Sequence, residues 1–157
     1  MDANDIKHPV LEECFQVEVK VEAPVVVGQD GLHGRRQIII MTEGIVKGKL
    51  NGRILPGGID AQIIRPNGLA ELSARYAIQL DDGKTVYIEN NGIRRVEPAY
   101  AAQAAAGKII DPEFVYFASV PKFEVYDETL KWLEESVFIC RAARLPDKVL
   151  LRFYRVL

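Results

Sequence analysis

Turn-forming residue pairs cut this chain into short pieces, and their spacing limits its fold more than any other feature. Asp30-Gly31, Asn51-Gly52, Pro56-Gly57-Gly58, Asn67-Gly68, Asp82-Gly83, Asn91-Gly92 and Pro146-Asp147 recur along the 157 residues. Glycine after Asn or Asp admits the positive φ that tight hairpin turns need. The segments between these signals have hairpin-strand length, the rhythm of an antiparallel sandwich or barrel.

Alternation within the segments agrees. Phe15, Val17, Val19 and Val21 fall on one side of an extended chain, with Gln16, Glu18, Lys20 and Glu22 on the other. Over 69–80, Ala70, Leu72, Ala74, Tyr76, Ile78 and Leu80 oppose Glu71, Ser73, Arg75 and Gln79. Further strands are expected over 35–41, 45–50, 59–65, 85–90, 113–125, 136–143 and 149–156. Two short helices interrupt them. One starts at Pro98, runs through an alanine-rich stretch and ends at Gly107; the other starts at Asp127 and carries Leu130 and Leu133 beside Trp132, as a lid or plug. About nine strands and two short helices predict an all-β fold, a single antiparallel β-barrel over 11–157 behind a tail of residues 1–10. Closure favours a barrel because it removes exposed sheet edges.

Charge excludes one class of partner and suggests how the barrel closes. Twenty Lys and Arg balance 22 Asp and Glu, for a net charge of -2, too even to hold a polyanion, so nucleic acid is not an expected partner. Residues 1–22 carry six acids and two bases, whereas 141–157 carry five bases and one acid. If the first and last strands pair, Glu18 and Glu22 are expected to face Arg152 or Arg155. Only Cys14 and Cys140 are present and no charged segment leads into an apolar run, so a reducing, cytoplasmic setting is expected. The longest apolar runs, such as Ile38 to Met41, fall far short of the roughly 18 residues that span a bilayer. Ile38, Ile39 and Ile40 do not alternate with polar residues, which suggests a strand covered on both faces and a homodimer.

Several chemistries lack their residues. No Gly-rich loop ends in Lys-Ser or Lys-Thr, and Gly28, Gly31 and Gly34 lack the strand-to-helix setting of a dinucleotide site. The only histidines, His8 and His33, and the two cysteines are scattered, so no metal and no cofactor are expected. Ser73, Ser119 and Ser136 sit in no nucleophile elbow.

The most informative stretch is Leu55-Pro56-Gly57-Gly58-Ile59-Asp60-Ala61-Gln62, followed by Ala74-Arg75-Tyr76. With Gly34-Arg35-Arg36, Asp82-Gly83, Asn91-Gly92, Tyr116-Phe117, Phe123-Glu124 and Trp132-Leu133, it resembles the bacterial and fungal family known as domain of unknown function 3237, or uncharacterised protein family 0311. The likeness spans about residues 11 to 157. It implies a lipocalin-like or calycin barrel with a central cavity and says little about activity. Ala61 departs from the pattern, because a Trp often follows the Asp there; a roomier pocket results if that side chain lines the cavity.

Read from the residues, Asp60 and Gln62 share one strand face, and Glu71, Ser73 and Arg75 share a face of the next strand. Alternation does not say which face is inward. With both polar faces inward, Asp60 and Arg75 form a desolvated pair, and Gln62, Tyr87, Tyr116 and Glu124 offer hydrogen bonds to a small-molecule ligand. Asp60 or Glu124 is then a general base and Arg75 a holder of developing negative charge, suited to enolisation, isomerisation or cyclisation of an apolar or aromatic carbonyl compound. Tyr76, Phe117 and Trp132 are aromatic ligand contacts or core, and Arg35-Arg36 beside the Gly-rich turn are an anion clamp or a solvated rim pair. The competing reading is a barrel filled by side chains that acts through a homodimer surface, with Asp60 and Glu124 as ordinary solvated residues or Asp60 as a turn cap.

Overall fold

The computed structural model describes residues 1–29, 32–106 and 108–157. The Asp30-Gly31 turn and the Gly107 helix end lie outside the described residues. One ten-stranded antiparallel sheet contains β1 (Leu11–Val21), β2 (Val25–Gly28), β3 (Arg35–Gly48), β4 (Gly52–Ile54), β5 (Ile59–Ile64), β6 (Ala70–Leu80), β7 (Thr85–Val96), β8 (Val115–Val125), β9 (Phe138–Arg144) and β10 (Lys148–Val156). The path runs β1-β10-β9-β8-β7-β6-β5-β3 and closes by pairing β1 with β3, which makes an eight-strand barrel.

The remaining strands are continuations. β3 pairs with β1 and then β2 along one edge, and with β4 and then β5 along the other. Between β4 and β5, Gly57 takes φ +103°, a backbone conformation nearly closed to other residues. The run expected as two strands, 35–41 and 45–50, is thus one long strand. β7 also continues past Asn91-Gly92, which is not a turn. A Cβ on Gly92 would lie 2.2 Å from the Ala118 carbonyl oxygen of β8. Glycine serves here for close strand approach.

The first and last strands do pair, as their charges suggested, but with other partners. Lys148 Nζ meets Glu18 Oε1 at 2.9 Å, and Arg152 bonds Glu13. Glu22 lies beyond β1, where its N–H donates to the Ile40 carbonyl.

The two ends of the barrel differ. At one end Phe15 stacks on Phe153 at 4.4 Å, and Phe123 meets Phe138 edge-on at 5.0 Å. A 3-10 helix, Glu128–Leu133, buries Leu130 and Leu133 there, and its N-cap Asp127 accepts from the Thr129 N–H. This is the expected plug. At the other end, the Pro98–Tyr100 3-10 turn and α1 (Ala101–Ala105) lead the chain across the rim. Among the described residues, no helix is long and apolar enough to cross a membrane.

Candidate functional site

Strand parity decides what enters the lumen. On β6 the inward row is Ala70, Leu72, Ala74, Tyr76, Ile78 and Leu80. Because Asp60 pairs with Ala74 and Gln62 with Leu72, Asp60 and Gln62 also face inward. Arg75 pairs with Ile59 on the outer wall, where it meets Glu89 at 3.5 Å and donates to Asn91 Oδ1 at 3.0 Å. The expected Asp60–Arg75 pair therefore does not form: opposite parity puts the two side chains on opposite sides of the wall.

Inside, a hollow of about 50 Å³ is walled by Val19, Met41, Leu72, Ala74, Phe117 and Leu151 and carries Asp60, Gln62, Tyr76, Asn90, Ser119, Arg94 and Arg144. Above it a vestibule of about 410 Å³ shares Val21, Ile39, Arg94 and Arg144 with the hollow and adds Arg35, Gln37, Lys108 and Ile110. The barrel is thus filled at the aromatic end and hollow at the other.

A chain of hydrogen bonds runs along the β3–β5 wall from the vestibule into the hollow. Gln37 Nε2 donates to Gln62 Oε1 at 2.8 Å, Gln62 Nε2 donates to Asp60 Oδ2 at 2.6 Å, and the Ser73 N–H donates to Asp60 Oδ1 at 3.0 Å. Burial raises the Asp60 carboxyl above its ordinary value, against the opposing pull of these two donors and of the Arg94 and Arg144 charges. Burial also pushes the Tyr76 hydroxyl far up, and the Cys140 thiol up to about 12, so neither ionises near neutrality. Tyr76, Asn90 and Ser119 are 4%, 5% and 6% exposed, and their hydroxyl and amide oxygens make no hydrogen bond of good geometry among the described residues, although Asn90 lies near the Tyr76 hydroxyl and both Asn90 and Ser119 lie near the Cys140 thiol. Buried polar atoms are rarely left so, and all three line the hollow.

Of the residues expected at a site, Asp60, Gln62, Tyr76 and Phe117 are brought together. The others are not. Glu124 is exposed and accepts from the Tyr126 hydroxyl at 2.6 Å. Tyr87 shares the outer parity of β7, opposite Ala77, while Val86 and Ile88 turn inward. Tyr116 is 45% exposed with Arg141 over its ring at 5.0 Å. Arg36 points out, and its neighbour Arg35 points in. Trp132 packs on Phe138 at the plugged end. Ala61 pairs with Ser73 and Ile38 on the outer parity, so its small side chain does not enlarge the hollow.

Arg94, Arg144, Asn90 and Ser119 were missed, and of the expected Arg35-Arg36 clamp only Arg35 faces the vestibule. A signal existed for two of them: extending the parity of Val86 and Ile88 along β7 places Asn90 and Arg94 inward, and the false turn at Asn91-Gly92 hid it. Among the described residues, no group of three or more His, Cys, Asp or Glu is placed to hold a metal ion.

Comparison with known proteins extends the sequence resemblance. A UPF0311 protein of Clostridium acetobutylicum is 49% identical over 157 residues, covering 99% of each chain. A crystal structure of a protein with unknown function from that organism superposes with TM-score 0.93 at 49% identity, covering 98% of this chain and 100% of that one. A conserved protein of unknown function from Rhodopseudomonas palustris gives 0.89 at 37% identity, covering 97% and 100%. An enzyme from Penicillium herquei shares the fold, with TM-score 0.73 at 16% identity and 97% coverage of both chains. The profile of the family described as "Protein of unknown function (DUF3237)" matches residues 9–156. Matched nearly end to end in sequence and in barrel architecture, this chain belongs to the DUF3237 family.

Proposed function

We propose that the barrel binds a small, mostly apolar carbonyl compound through its open end and transfers a proton on it, with Asp60 as the base. The supporting observation is a desolvated carboxylate in a hollow with a part-apolar wall, beside the buried Tyr76, Asn90 and Ser119 oxygens and the Arg94 and Arg144 guanidiniums. A raised carboxyl is a better proton acceptor than an ordinary one. Asp60 takes a proton from the carbon next to the carbonyl, the enolate oxygen accepts from Tyr76 or faces Arg94, and the proton returns at the same or another carbon. Arg94 replaces Arg75 as the holder of negative charge. Isomerisation and cyclisation both begin with this step. A barrel of this fold from Penicillium herquei is described as an enzyme, so the fold accommodates turnover.

The test is deuterium uptake at the α-carbon of aryl ketones in heavy water, followed by proton NMR. The wild type is expected to accelerate exchange, and Asp60→Asn to lose about two to four orders of magnitude of that acceleration. Full exchange in Asp60→Asn, or none in the wild type, contradicts the reading.

A second reading, a homodimer surface, draws on the outer wall, where Val25, Ile38 and Ala61 lie in one cross-strand row beside the Ile40–Ile59 pair. Sedimentation at micromolar concentration tests it, and a monomer counts against it.

A further inference from the structure

We infer that the ligand of this barrel is an organic acid: a carbonyl compound whose carboxylate is held by Arg94, Arg144 and Arg35 where the hollow meets the vestibule. This rests on the lumen-binding reading and adds the ligand's charge. Arg94 and Arg144 line both spaces, and Arg35 lines the vestibule directly above them. The three project from β7, β9 and β3, so three parts of the wall aim guanidinium groups at one region.

What marks them is the lack of anionic partners. Arg65, Arg75 and Arg152 pair with Glu71, Glu89 and Glu13 on the outer wall. Arg94, Arg144 and Arg35 form no such ion pair among the described residues, and the Nε of Arg35 is buried without a hydrogen-bond acceptor. Their mutual charge is only partly relieved, by Asp60 at Arg94 and by Asp147 and Asp60 at Arg144. Arg94 is lowered from its ordinary value by burial and then by the Arg144 and Arg35 charges, with Asp60 opposing.

Among the described residues, Asp60 is the one carboxylate lining the hollow, and its Oδ atoms are already engaged by Gln62 and Ser73. At the rim, Lys108 and Glu22 offset each other in formal charge. Three guanidiniums set against Asp60, and against Asp147 beside Arg144, still leave a positive excess in a partly dry space, where a planar carboxylate is matched by the guanidinium fork. A singly charged acid suits the site better than a dianion, which would add to the repulsion from Asp60. With the acid group at the junction, the carbonyl end reaches down to Asp60 and Tyr76.

The test uses isothermal titration of the full chain with 4-oxopentanoate, whose methyl ketone end suits the hollow of about 50 Å³, and with 3-benzoylpropionate, each against its methyl ester, which keeps the ketone and removes the charge. The acids are expected to bind more tightly than the esters by about tenfold or more, the size of a charge-assisted hydrogen bond. Arg94→Met and, separately, Arg35→Met are expected to reduce that preference. Without ligand, Arg94→Met is expected to melt no lower than the wild type, because it removes an unpaired buried charge.

Equal binding of acid and ester overturns the organic-acid assignment while leaving lumen binding intact. Binding of neither overturns both. An unchanged acid preference in Arg35→Met and Arg94→Met overturns the arginine assignment, and Arg35→Met at the mouth keeps the test decisive if Arg94→Met fails to fold.

Discussion

Asp60 is the proposed base, and its environment gives it a pH signature. Its carboxyl is raised in the folded chain by burial, so between the ordinary aspartate value and the folded value the native state holds more protons than the unfolded one. Stability therefore falls as pH rises through that window, and the cost is fully present above it. The charged groups facing Asp60 are Arg94 from β7 and Arg144 from β9, with the Tyr76 hydroxyl from β6 nearby. Asp60→Asn is expected to melt a few degrees higher than the wild type near neutrality, with the gap vanishing well below the ordinary value of 3.8. Thermal melts across that range check it; an Asn variant that is less stable at neutral pH contradicts it. Tyr76→Phe removes a buried hydroxyl without a described partner, so it is expected to leave the melting temperature unchanged or higher while slowing α-proton exchange. A large loss of stability would instead show that the hydroxyl is bonded within the fold. At this scale the sequence was half legible. Asp60, Gln62, Tyr76 and Phe117 stood out by type and position, but Arg75, Glu124, Tyr87, Tyr116 and Arg36 were assigned without knowing which parity faced in. One residue of offset separates Arg36 on the outside from Arg35 in the vestibule, as a period of two dictates.

Strands were legible where alternation was clean, as in β1 and β6, and misread where a turn signal sat inside a strand. Asn91-Gly92 has the composition of a hairpin turn, yet Gly92 lies opposite Ser119 in the β7–β8 ladder. Local preference was overridden by pairing with β8. Gly92→Ala is expected to destabilise by about 1–3 kcal/mol through overpacking, since its Cβ would meet the Ala118 carbonyl oxygen at 2.2 Å. Denaturant titration measures this, and a neutral outcome would argue against so close an approach. The charge asymmetry of the ends foretold the β1–β10 pairing but not its register. The Glu18–Lys148 pair is 48% and 31% exposed, so a double-mutant cycle is expected to find about 0.2–1 kcal/mol of coupling, reduced in high salt. Its role is register more than stability.

On the scale of the whole molecule, the aromatic packing and the proposed binding site occupy opposite ends of one barrel. The Phe15, Phe123, Phe138 and Phe153 cluster with the Leu130–Leu133 plug closes one end, and unpartnered polar groups gather toward the other. Phe153→Ala is expected to cost about 3–5 kcal/mol. Closure of the sheet was legible from strand count and end charges; the division of the lumen was not, because it depends on which inward positions of all eight barrel strands meet at one depth. Residue-resolved NMR titration with 3-benzoylpropionate most directly tests whether this lumen is the binding site. The expected result is saturable shifts at the amides of Asp60, Gln62, Tyr76, Asn90, Arg94 and Ser119, with the Phe15–Phe153 end unaffected. Shifts confined to the outer wall around Val25 and Ile38, or none at all, would contradict it.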